Sequence, residues 1–239
     1  MNFAKKTFFV ILSFCTLFLS FSQTALNGLY SYAAENPKVF EKAQKLSDEL
    51  KSQMKDFEFS KSDSQIKLAV SIVFPELMRY SQFEDELETL ANKLAYNAGM
   101  EAEGCSIGHF QIKPIFAEAI EIEISKNSEL KLKYAMIDFK GERKSYGARS
   151  ARIRRLRTRK TEFAYLFAFI DICTKKFSLE KAPVETKIKI LATAYNAGFH
   201  KTRSQIEKLM KYNSYPNGFD NENSNWNYAQ IAADFYARK

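Results

Sequence analysis

The sequence predicts an all-α fold, and three observations carry that expectation. Apolar residues recur at helical spacing through most of the 239-residue chain. Proline, asparagine and glycine punctuate those segments where helices start and stop. The alternation expected of half-buried strands is scarce. Hydrophobic residues make up 46% and charged residues 27%, ordinary proportions for a globular protein with a sizeable core. The length suits one domain, or one domain with an appendage.

The first 22 residues stand apart from that core. Lys5 and Lys6 precede a mostly apolar run over residues 8–21. Ser20-Phe21-Ser22 then puts small residues where a signal peptidase reads. This is the order of a secretory signal. The run is shorter than the roughly 20 apolar residues of a membrane span. The expectation is cleavage after Ser22 and export to the periplasm or cell envelope, with a retained anchor as the alternative. No later run is long enough to cross a bilayer. Without Lys5 and Lys6 the 36 basic residues fall to 34, against 28 acidic, a net charge of +6. That charge suits an anionic polymer or surface, and it equally suits plain solubility.

Residues 23–60 read as an N-terminal helical extension and 61–239 as the main domain. Asn36-Pro37 opens a stretch to about residue 57, with Val39, Phe40, Ala43, Leu46, Leu50 and Met54 on one face. Residues 64–74 are apolar nearly all round, as a buried helix is. Pro75 disfavours helical geometry at Phe74 and predicts a break or bend there. Residues 82–98 are amphipathic and end near Asn97-Ala98-Gly99. Pro114 sits at a favoured first-turn position for a helix over 115–126. Further helical patterns cover about 129–138, 158–177, 184–196, 200–211 and 226–237. Residues 139–150 and 213–225 read as irregular.

Cysteine and histidine bound the chemistry. Beyond the leader the chain keeps Cys105 and Cys173. An exported protein would permit a disulfide between them, and two separate thiols fit as well. No CxxC pair occurs, and His109 and His200 offer no metal-site spacing. No cofactor and no metal are expected.

Three stretches could carry chemistry. Glu76 follows the buried run in "SIVFPEL". A partly desolvated carboxyl has a raised pKa and can act as a general acid. Glu76 could equally open a new helix, facing its dipole. The second stretch is "SIGHFQIKP", residues 106–114, with Ser106, Gly108 and Gln111. Gly108 lets a backbone come close, and Gln111 offers both donors and an acceptor. The third is "ATAYNAGF", residues 192–199. Tyr195 could orient a carboxyl or simply fill the core. Asn196 could bind a sugar acetamido group or simply end a helix with Gly198. The acidic run Glu84, Asp85, Glu86 fits a solvated helix face or a second cleft carboxylate. The basic run over 147–160 fits an exposed helix start or an anion-binding patch. A secretory signal argues against nucleic acid as its partner.

Taken in order, these pieces resemble the soluble lytic transglycosylases, relatives of goose-type lysozyme. That family reads roughly E-S, then G-L-M-Q-x-x-P, then A-Y-N-A-G. The matching residues are Glu76; Gly108, Gln111 and Pro114; and Ala194, Tyr195, Asn196, Ala197 and Gly198. The resemblance covers about residues 64–200. Leu77 replaces the family serine, and His109 and Phe110 stand where Leu and Met are usual. The stretch between Glu76 and Ser106 is longer than in compact members.

The resemblance implies an α-helical, lysozyme-like domain that cleaves the β-1,4 bond between N-acetylmuramic acid and N-acetylglucosamine in peptidoglycan. It implies that Glu76 is the single acid and base, with Ser106, Gly108, Gln111, Tyr195 and Asn196 lining the sugar sites. No separate carboxylate nucleophile is required, unlike the two-carboxylate scheme. The alternatives are a non-catalytic glycan-binding protein and a structural envelope protein on the same fold.

Overall fold

A computed structural model describes residues 28–55, 62–82, 95–99, 106–139, 141–219 and 221–238. The leader, Cys105 and most of the helix expected over 82–98, with its acidic run Glu84, Asp85, Glu86, lie outside them. The protein is all-α: the described residues form ten α-helices and one 3-10 helix, and their β pairing is confined to isolated bridges. None of these helices is long and apolar enough to cross a membrane.

Two buried helices organise the core. The helix α3 (Asp63–Gln82) packs against α2 (Pro37–Lys55) on one side and α10 (Tyr228–Ala237) on the other. The helix α7 (Arg159–Lys176) is apolar nearly all round and carries eleven buried residues from Glu162 to Cys173. Between them lies α8 (Val184–Ala197), which touches α3, α7 and α10. The N-terminal segment is not detached. The backbone N–H of Leu29, the first residue of α1 (Leu29–Glu35), donates to Asp234 of α10 at 3.0 Å.

Pro75 does not end the buried helix. The helix α3 runs through it to Gln82, so Glu76 lies mid-helix rather than at a helix end or start. A proline inside a helix loses one hydrogen bond and crowds the preceding turn, at a cost of about 3 kcal/mol. Val73, Phe74, Leu77 and Met78 flank it and are all fully buried. Each contributes roughly 1.5–3 kcal/mol on burial, which outweighs the loss. Phe74 also stacks on Phe235 of α10, with ring centroids 3.7 Å apart.

Most other expected helices form. The helix α4 (Pro114–Ser125) starts with its proline at the first turn, as the spacing predicts. The pattern over 129–138 divides instead into α5 (Ser128–Lys133) and a 3-10 turn over Ala135–Ile137. The region read as irregular up to residue 150 is helical from Tyr146. There α6 (Tyr146–Leu156) is capped by Ser145, whose hydroxyl accepts from the Ala148 N–H at 3.2 Å. A short α9 (Arg203–Leu209) opens with a capping box at Thr202. Residues 213–225 form the expected loop, pinned by a bridge between Tyr215 and Trp226.

The basic segment is not a uniformly exposed face. Arg152 is fully buried, Arg155 lies over the Phe139 ring at 4.1 Å, and Arg149 lies over Tyr96 at 5.6 Å. Arg154 and Arg157 remain exposed.

Candidate functional site

The glutamine turn is built by its own backbone. Ile107 and Ile112 exchange both hydrogen bonds, at 3.0 and 3.1 Å, and close residues 107–112 into a small loop. Gly108 and Gln111 take positive φ angles of 75° and 51°. Gln111 folds its amide back onto the Gly108 carbonyl at 2.9 Å. Ser106, half-buried, leads into this loop.

A carboxylate that sequence reasoning missed anchors the turn. Glu162 is 1% exposed in the first turn of α7, where the helix dipole favours a negative charge. It accepts the Phe110 N–H at 2.7 Å, and its other oxygen lies 3.4 Å from His109. A side chain on Gly108 would meet Glu162 at 2.4 Å and the Leu156 carbonyl at 2.7 Å. The close approach that Gly108 allows is therefore to the chain itself. The signal was available: an acid three residues into an apolar helix has to find a partner.

The third motif docks on the second. The Tyr195 hydroxyl donates to the Phe110 carbonyl at 2.7 Å. The Tyr195 ring packs edge-on against Phe116 of α4 and Phe169 of α7, at centroid distances of 5.2 and 5.3 Å. Asn196 points elsewhere and donates to the Ser214 hydroxyl at 2.9 Å, which ties α8 to the 213–225 loop.

The first motif completes the cluster. The Glu76 side chain is 5% exposed, and its carboxylate pairs with Arg79 one turn later at 2.9 Å. Burial pushes the Glu76 pKa above the ordinary carboxyl range. Arg79, the Tyr228 hydroxyl and Lys113 pull against that rise. Lys113 belongs to the glutamine stretch, and Tyr228 to α10. The Tyr195 hydroxyl is itself pushed well above its usual range by burial, then by the negative charges of Glu76 and Glu162. It lies within electrostatic reach of both acids.

One expectation changes in detail. Tyr195 gives its hydrogen to a backbone carbonyl and not to Glu76. The phenol that faces Glu76 is Tyr228, whose buried hydroxyl completes no regular hydrogen bond. Arg79 also reaches across to the Pro216 carbonyl and lies over the Tyr215 ring at 5.9 Å. Glu76, the glutamine turn and Tyr195 thus come together, while Asn196 joins them through the loop.

Partly exposed Tyr80 and His109 lie beside the cluster, ring centroids 4.8 Å apart. A groove of about 750 Å³ lies elsewhere, lined by Glu123, Lys126, Asp171 and Lys175 among others, and includes none of the site residues. No group of acidic, histidine or cysteine side chains among the described residues is arranged to hold a metal. Cys173 is buried with a free thiol, which burial raises in pKa. Comparison with models of known families, with curated proteins and with solved structures found no match.

Proposed function

We propose that the chain is an exported, lysozyme-like enzyme that cleaves the β-1,4 glycosidic bond of peptidoglycan with Glu76 as its acid and base. One observation carries this reading. A buried carboxyl with a raised pKa sits where three motifs, far apart in sequence, meet around Tyr195. A carboxyl of that kind holds its proton to higher pH than an exposed one and can give it to a leaving oxygen.

The reaction needs only this group. Glu76 protonates the glycosidic oxygen as the bond to the muramic acid carbon breaks, assisted by the sugar's acetamido oxygen. The carboxylate left behind then takes the proton of the sugar's own 6-hydroxyl as that oxygen closes a 1,6-anhydro ring. Water in place of the 6-hydroxyl gives the hydrolytic product. Glu162 is not available for either step, because its oxygens face the Phe110 N–H and His109. Gln111 and the Gly108 backbone would line the sugar sites, and Asn196 would hold the loop beside them.

A second reading has its own observation. Glu76 is nearly closed off and already paired with Arg79, as suits a non-catalytic glycan-binding or structural envelope protein. Mass spectrometry of purified peptidoglycan digested with the protein separates the two. Release of anhydro-muropeptides by the wild type, abolished in Glu76→Gln with the fold intact, supports cleavage. Undiminished release by that variant removes Glu76 from the mechanism.

A further inference from the structure

The arginine one turn beyond Glu76 performs two tasks at once. One guanidinium nitrogen of Arg79 holds a Glu76 carboxylate oxygen at 2.9 Å, and the other donates to the Pro216 carbonyl. The same guanidinium lies over the Tyr215 ring. A single side chain therefore joins the acid on α3 to the 213–225 loop, which Asn196 fastens to α8 from its other side. Arg79 is the partly open member of this set, with 26% of its side chain exposed.

Every other group facing the Glu76 carboxyl is a weaker counterweight. Lys113 approaches from the glutamine stretch, Tyr228 from α10, Tyr195 from α8 and Tyr215 from the loop. The three tyrosines are neutral, and Lys113 is solvent-exposed and screened. Arg79 is the full charge in direct contact. A cation at contact distance favours the ionised carboxylate, whereas a general acid must hold its proton.

We propose that Arg79 is a positioning residue that fixes the Glu76 carboxyl against the 213–225 loop and sets the upper pH limit of the cleavage. The proposal rests on the reading of Glu76 as the acid. Its consequence runs opposite to intuition: removing the positive charge widens the working range towards alkaline pH while loosening the geometry.

The test uses the exported chain and three variants. Arg79→Lys keeps the charge, Arg79→Gln keeps a donor for the Pro216 carbonyl without charge, and Arg79→Met keeps neither. Carbon-13 NMR of side-chain-labelled glutamate follows the Glu76 carboxyl directly, assigned by its absence in Glu76→Gln. Muropeptide release is measured against pH in parallel. In Arg79→Gln the carboxyl is expected to titrate about one unit higher or more, and the alkaline limb of release to move with it. Arg79→Lys is expected to keep the wild-type limb. Arg79→Met is expected to show the raised titration together with a lower maximal rate.

An unmoved Glu76 titration in Arg79→Gln overturns the proposal, as does release that falls equally at every pH. A wild type that releases nothing, with the titration still moving in Arg79→Gln, overturns the cleavage reading and leaves the charge coupling standing.

Discussion

Arg152 and Arg79 both face buried carboxylates, yet their surroundings differ. The Arg152 Nε contacts both Glu121 oxygens at 3.0 Å, and one Nη reaches Glu121 again at 2.5 Å. The other Nη donates to the Tyr96 hydroxyl and lies 3.4 Å from Glu118. Tyr165 closes the ring by donating to Glu121 at 2.5 Å. Around Glu76 the bonding is thinner. One carboxylate oxygen has Arg79, and the nearby Tyr228 hydroxyl completes no regular bond. Burial raises the pKa of both Glu121 and Glu76. Only at Glu121 do several hydrogen bonds to the ionised form stand against it.

The contrast separates frame from site. A buried charge with all its partners stiffens a core, because breaking any one bond strands another. A buried carboxyl with too few partners is poised to change its protonation, which is what acid–base chemistry asks of it. The Arg152 network joins α4, α6 and α7, and the Glu76 cluster joins α3, α8 and α10. The glutamine turn lies between them, held by Glu162 on one side and Tyr195 on the other.

The strongest way to break this comparison is Arg152→Met. It strands Glu121 in a fully buried position, and a loss of about 3–5 kcal/mol is expected in urea unfolding. A loss under about 1 kcal/mol would mean that the network is not the frame. Tyr165→Phe is milder. It removes one hydrogen bond to a buried charged group, and about 1.5–3 kcal/mol is expected to go.

The sequence showed the helices because burial writes itself as periodicity. Residues 184–196 and the asymmetric face of α2 were readable for that reason, and 158–177 through its nearly continuous apolar run. It misled at Pro75, where local sterics argue for a break and the burial of Leu77 and Met78 overrides them. It misled again over 146–156, because arginines read as surface until a Glu121 is found facing one of them. At the site, Glu76, Gln111 and Tyr195 stood out through short motifs. Glu162 and Tyr228 did not, because their partners lie 52 and 152 residues away, and Arg79, one turn from Glu76, shows its second role only through Pro216, 137 residues on.

The pH dependence of folding sharpens the same contrast. A carboxyl whose folded pKa lies above its unfolded value supports stability below the unfolded value and loses that support as pH rises through the folded one. Glu76 is such a group, its pKa raised above 4.5 chiefly by burial. Glu76→Gln cannot ionise. Relative to the wild type its stability is therefore expected to improve from about pH 4.5 upward and to level off once Glu76 is fully ionised. Melting temperatures of both proteins across that range check it. A constant difference at all pH values would show that the Glu76 pKa is not raised by folding.

The smallest expected effect makes the most pointed test. Tyr228→Phe deletes the same atom as Tyr165→Phe, from a tyrosine that is likewise buried. The Tyr165 hydroxyl holds Glu121, whereas the Tyr228 hydroxyl is buried without a regular partner. At most a weak hydrogen bond to Glu76 is lost, so Tyr228→Phe should stay within about 0.5 kcal/mol of the wild type. The hydroxyl does favour the ionised form of Glu76. Its loss should raise the Glu76 pKa a little further and, on the proposed cleavage, nudge the alkaline limb of release upward. If Tyr228→Phe destabilises the fold as much as Tyr165→Phe does, the two clusters are equally well bonded. Glu76 would then be a second piece of the frame, and the argument that its sparse bonding readies it for proton transfer would fail.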